Sequence, residues 1–213
     1  MNSTAAVSDE NKKLTYLALG DSYTIGEALA QELSFPYQLV SELKEQNMLV
    51  APPKIIAKTG WTTAELQAAI KAENVAQKFD IVTLLIGVNN QYRGNSPIIY
   101  REEFAALLQT AIAYANGNKK HVFVVSIPDW GVTPFGKASD RDIKTIASEI
   151  DAFNAIAKEE TLKMDVSYTD ITPASRAAAT NSSLVATDGL HPSGEMYATW
   201  AKEVSLAVLR SFR

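Results

Sequence analysis

Two apolar runs, DIVTLLIG at 80–87 and HVFVVSI at 121–127, constrain the fold most strongly. They are short, nearly continuous and rich in β-branched residues, as expected of parallel strands covered on both faces. Shorter runs of the same kind lie at 14–19, 54–57 and 165–169. Amphipathic stretches at about 36–46, 63–76, 100–116, 141–162 and 194–210 separate or follow them, the last carrying Met196, Trp200, Val204 and Val208 at helical spacing. Strand alternating with helix is the mark of βαβ units, and it predicts an α/β domain over 14–213. At 213 residues and 46% hydrophobic, the chain can bury a sizeable core. The longest irregular segments are 89–99, 128–140 and 170–192, and neither repeat nor linker marks a second domain.

In an open parallel sheet, ligands bind beyond the carboxyl ends of the strands. Here the loops at that edge are unusual. The first strand runs into Gly20-Asp21-Ser22, the second into Thr59-Gly60-Trp61, and the third into Gly87-Val88-Asn89-Asn90. Gly-Asp-Ser is by itself an ordinary turn or helix cap. Ser22 becomes a candidate nucleophile only with a base, a group that orients the base, and donors for an oxyanion.

The chain has two histidines. His121 begins an apolar strand, at the wrong end for this chemistry. His191, in TDGLHPSG before the last helix, is placed to overhang the carboxyl edge, with Asp188 three residues earlier. An imidazole takes the serine proton, and a carboxylate fixes its tautomer and steadies its charge. Gly60, through its backbone N–H, and Asn89, through its side-chain amide, suit the oxyanion role. Each residue has a plain structural reading as turn or cap; their occurrence together on one sheet edge favours a site.

These blocks resemble the GDSL-type SGNH hydrolases, a family of serine esterases, lipases and acyltransferases. GDS at 20–22, the glycine of TGWTT at 59–63, GVNN at 87–90 and DGLH at 188–191 match its four blocks in order, and the resemblance spans about 14–210. It implies a flavodoxin-like, three-layer αβα fold with a five-stranded parallel sheet. It implies Ser22 as nucleophile, His191 as base, Asp188 as its orienter, and an oxyanion hole of the Ser22 and Gly60 N–H groups with the Asn89 amide. Asp21 and Asn90 are supporting residues. The third block of the family usually reads Gly-x-Asn-Asp, so Asn90 stands where an aspartate is common. Its expected role is to brace the loop, and restoring the aspartate is expected to preserve most of the activity.

The reaction expected is hydrolysis of a small carboxylic ester through an acyl-serine intermediate. Acyl transfer or thioester cleavage at the same site is an alternative, as is a non-catalytic ligand-binding module. Tyr23, Trp61, Tyr92, Trp130 and Phe135 lie on or beside the site loops, and either line an apolar pocket or pack beneath the loops. No long hydrophobic insertion suggests a lid, which favours short acyl groups.

Other chemistries lack their signatures. The chain has no G-x-S-x-G elbow, Walker loop, dinucleotide fingerprint or H-E-x-x-H, and no cysteine, so no cofactor or metal is expected. A net charge of −4 from 20 basic and 24 acidic residues argues against nucleic acid and anionic membrane as partners, and leaves the oligomeric state open. The opening MNSTAAVSDENKK is polar and reads as a flexible tail over 1–13 without a signal peptide's apolar core. As written, the chain is expected to be cytoplasmic, or periplasmic or secreted if a leader has been removed.

Overall fold

A computed structural model describes residues 13–213; the expected tail, apart from Lys13, lies outside the described residues. Among the described residues there are five strands: β1 Tyr16–Gly20, β2 Lys54–Ala57, β3 Ile81–Leu85, β4 Val122–Val125 and β5 Ser167–Thr169. The α-helices, in chain order, are α1 Ser22–Ile25, α2 Phe35–Glu45, α3 Thr63–Glu73, α4 Val88–Tyr92, α5 Pro97–Tyr114, α6 Pro134–Ala138, α7 Ile143–Lys163, α8 Thr172–Arg176 and α9 Gly194–Ser211.

The strands form one parallel sheet in the order β2-β1-β3-β4-β5. Right-handed crossovers then dictate the layers, because the chain steps one way from β1 to β2 and the other way ever after. The α2 crossover belongs on one face, and the α3, α5 and α7 crossovers on the other. Their packing agrees: α2 lies against α9, and α5 lies against both α3 and α7. This is the α/β fold expected, a five-stranded parallel sheet flanked by helices. The β1, β3 and β4 residues are all buried, as their unbroken apolar character demands. Met196, Trp200, Val204 and Val208 are all buried on α9.

Short helices occupy parts of the segments read as irregular, with α4 in 89–99, α6 in 128–140 and α8 in 170–192. Each is five residues long, too short for hydrophobic periodicity to register. Among the long helices, α3 stops at Glu73, short of the expected 76, because Asn74 turns left-handed at φ 45°. Conversely, α5 starts early, at Pro97, with Ser96 as its cap.

The reversal of strand order falls at β1. Its neighbours β2 and β3 lead away in opposite directions, so a crevice opens beyond the carboxyl ends of β1 and β3. Gly20 is level with Ala57 on one side and with Leu85 on the other, which brings the three following loops to one edge.

Candidate active site

Ser22 opens α1 immediately after β1, at the bend that Asp21 makes as N-cap. The Asp21 carboxylate accepts from Tyr23 N–H at 3.0 Å. Gly20 is required by close approach. A β-carbon there would lie 2.0 Å from Thr24 Oγ1 and 2.4 Å from the Leu85 carbonyl oxygen. The bend therefore packs directly onto the end of β3.

Across the crevice, Gly87 adopts φ 130° and starts α4, which carries Asn89 and Asn90. The Asn89 amide donates to Asp21 Oδ2 at 3.3 Å and to the Trp61 carbonyl at 3.0 Å. One side chain thus joins the loops after β1, β2 and β3. Burial lifts the Asp21 carboxyl to about 7, against the opposing pull of the hydrogen bonds from Tyr23 N–H and the Asn89 amide. Both amide protons are already directed at protein acceptors, so donation to an oxyanion exchanges one of these bonds.

Asp188 and His191 come from a single loop before α9. Asp188 Oδ2 lies 2.6 Å from His191 Nδ1, while Oδ1 accepts from the N–H groups of Leu190 at 2.9 Å and His191 at 3.0 Å. A carboxylate beside Nδ1 holds the proton there and leaves the Nε2 lone pair free to accept. Partial burial works to raise the Asp188 carboxyl, but the His191 ring and the two backbone donors together outweigh it. The group is held below the ordinary carboxylate range. The loop is closed by Ala186 N–H on the His191 carbonyl at 2.7 Å and Ser193 N–H on the Leu184 carbonyl at 2.9 Å.

Ser22, Asn89 and His191 line one cavity of about 240 Å³, with Tyr23, Val88, Tyr92, Trp130, Phe135 and Leu190. No charged carboxylate or cationic side chain lines it, and its wall is mainly aromatic. Tyr23 and Trp130 are buried, whereas Tyr92 and Phe135 stand half exposed at the mouth. The Tyr23 ring leans on the His191 ring at 5.0 Å between centroids, and Tyr92 meets Trp130 edge-on at 5.2 Å. Among the described residues no hydrogen bond yet joins Ser22 Oγ to the imidazole, and no group of three or more His, Cys, Asp or Glu could hold a metal ion.

One aromatic candidate is placed elsewhere. Trp61 does not line the cavity; its ring packs against the hydrophobic core, where an aromatic side chain loses most of its contact with water. Gly60 is not part of the wall itself but stands one residue before Trp61, whose carbonyl accepts from the Asn89 amide. Gly60 adopts φ 84°, and its carbonyl accepts from the Arg93 guanidinium at 2.5 Å. His121 lies at the amino end of β4 and stacks on Phe212 at 4.3 Å, far from this chemistry in the topology.

Other residues of the site take no role from the sequence alone, although Val88 and Leu190 lie within its motif blocks. Val88 and Leu190 complete the cavity wall. Gln91 is buried in α4, where its Oε1 accepts from Trp130 Nε1 at 2.8 Å and its Nε2 donates to Glu149 at 2.6 Å. Arg141 pairs with Glu149 and lies over the Trp130 ring at 5.7 Å. Trp130 is thus held by the Gln91 amide from α4 and the Arg141 guanidinium from the turn before α7.

A family model for the GDSL-like lipase/acylhydrolase family matches residues 18–199. A search of curated proteins gives no match. Similar solved structures include the lipase/acylhydrolase from Enterococcus faecalis, at 19% identity and a TM-score of 0.71 over 94% of this chain and 96% of that one. The psychrotrophic esterase EstA from Pseudoalteromonas sp., in a form inhibited by monoethylphosphonate, gives 16% and 0.65 over 94% and 99%. AlinE4, an SGNH-hydrolase family esterase, gives 21% and 0.61 over 95% and 98%. At these identities the agreement is one of fold.

Proposed function

The chain belongs to the GDSL-like lipase/acylhydrolase family and is a carboxylic ester hydrolase, and on that premise we propose that it cleaves small, uncharged esters through an acyl-serine intermediate on Ser22. His191 Nε2 takes the Ser22 proton as Oγ attacks the ester carbonyl, and the carbonyl electron pair moves onto oxygen. The Ser22 and Gly60 N–H groups and the Asn89 amide receive that oxyanion. His191 returns the proton to the departing alkoxide, and Asp188 steadies the imidazolium in between. Water then repeats the sequence on the acyl-enzyme and releases the acid.

The observation that carries this reading is the Asp188–His191 pair at 2.6 Å, whose imidazole lines the same cavity as Ser22 and Asn89. Contact between Ser22 Oγ and Nε2 is expected to tighten when substrate is bound, as catalytic hydrogen bonds commonly do. The substrate class follows from the wall. An aromatic lining without charge favours apolar acyl or alcohol groups, and about 240 Å³ is below the roughly 300 Å³ at which sites for drug-sized ligands begin. Among the described residues no helix is long and apolar enough to cross a membrane.

An ethyl fluorophosphonate tests the assignment directly. Mass spectrometry should find the phosphonate on Ser22, in parallel with loss of turnover on p-nitrophenyl acetate. Inactivation with the label on another residue, or turnover that survives full labelling, would refute it.

A further inference from the structure

Asn90 is fully buried and makes two hydrogen bonds to one residue. Thr63 N–H donates to Asn90 Oδ1 at 3.0 Å, and Asn90 Nδ2 pairs with Thr63 Oγ1 at 2.7 Å. A backbone N–H can only donate, so the amide oxygen must face it and the amide nitrogen must face the hydroxyl. Thr63 Oγ1 therefore accepts from position 90. Its single proton goes to the other side, where it donates to Glu103 Oε2. The three side chains form a hydrogen-bond chain with one direction, from Asn90 through Thr63 to Glu103.

The location gives that direction a consequence. Thr63 is the first residue of α3, directly after the loop that carries Gly60 and the Trp61 carbonyl, and Asn90 follows Asn89 in α4. Glu103 reaches in from α5, the helix after α4, and lies outside all four motif blocks.

We infer that Asn90, Thr63 and Glu103 are a directional relay that sets the position of the Asn89 amide, with Glu103 as a positioning residue for the reaction; this rests on the reading of Asn89 as an oxyanion donor. An aspartate at position 90 can still accept from Thr63 N–H, but it has no proton for Oγ1. The hydroxyl can then serve only one of two carboxylates, and the other faces its lone pair. This reverses the expectation drawn from the family pattern: the commoner aspartate is harmful here. Glu103→Gln supplies the missing donor. Its new amide N–H₂ donates to Thr63 Oγ1, which passes its proton to the new carboxylate at 90, and the chain runs complete in the opposite direction.

The test compares the parent, Asn90→Asp, Glu103→Gln and the double variant by kcat and KM on p-nitrophenyl acetate and by Tm. Asn90→Asp should lower kcat roughly 10- to 100-fold, with KM little changed and Tm reduced. Glu103→Gln alone should cost only about threefold, since its amide oxygen can still accept from Thr63. The double variant should recover to within about fivefold of the parent in kcat and regain Tm, an excess over additivity that only coupled sites produce. Parental kcat in Asn90→Asp overturns the relay, as does a double variant no better than Asn90→Asp. Recovery of Tm without kcat overturns the positioning role. Ser22→Ala is the control for the underlying reading: if it retains turnover, ester hydrolysis at Ser22 fails, while the Tm pattern of the four proteins still reports on the relay.

Discussion

His191, backed by Asp188, and Asn89 line the same cavity but are held in unlike ways. Asp188 collects the imidazole and two N–H groups of its own turn, all within three residues, and its side chain remains 30% exposed. Asn89 depends on Asp21, 68 residues away, and on the Trp61 carbonyl, 28 residues away, and both contacts exist only because three strand ends are level. A loop that satisfies itself can lose its chemistry and leave the rest of the molecule intact. A junction assembled from three strands carries stability as well, so damage there should be felt in both.

The largest effect expected is that of removing either half of the proton-transfer pair. Ser22→Ala or His191→Ala should lower kcat by roughly 10³ to 10⁶ with Tm nearly unchanged. Steady-state kinetics and a thermal melt on each variant decide it; near-parental turnover in either breaks the assignment of roles.

The next two substitutions separate the halves. Asp188→Asn should cost roughly 10²- to 10⁴-fold in kcat by disturbing the His191 tautomer, with little loss of Tm. Asn89→Ala should cost about 10²- to 10³-fold in kcat with KM little changed, and in addition lower Tm, because Asp21 and the Trp61 carbonyl each lose a donor. If both variants melt alike, the distinction between a self-contained and an assembled half is wrong.

Proton linkage divides the halves again, with opposite signs. Asp21 is raised from 3.8 to about 7, so the cost of burying its charge is absent below the lower value and complete above the higher one. Stability from this group falls as pH rises through that window. Asp188 is depressed, so its contribution is present above the unfolded value of 3.8 and is lost as pH falls through its folded one. The Tm of Asp21→Asn relative to the parent should therefore climb between about pH 4 and about pH 8, by roughly 2 to 8 °C. A flat difference would count against the buried charge.

The smallest effect concerns the cavity wall. Gln91→Leu removes the acceptor for Trp130 Nε1 and the donor to Glu149 without touching the nucleophile or the base. KM for an aromatic ester should rise about three- to tenfold while kcat stays within about threefold. Equal losses in kcat would mean that Gln91 acts on the oxyanion side instead.

The sequence by itself determined the layered α/β fold, because continuous β-branched runs between amphipathic segments can be buried only as parallel strands covered by helices. It also determined the approximate positions of Ser22 and of the Asp188–His191 pair, since each lies in a turn whose partners are near neighbours in the chain. Tertiary structure alone decided the rest. Whether an aromatic residue beside the site joins the cavity wall, as Trp130 does, or the core, as Trp61 does, depends on which helices pack over it. The partner of Asn90, Thr63, lies 27 residues away, and those of Gln91, Trp130 and Glu149, lie 39 and 58 residues away. Periodicity reports which face of a helix is buried; which polar group waits on the other side is settled only when the elements pack, and there a buried amide or hydroxyl must find a partner of the right polarity or destabilise the fold.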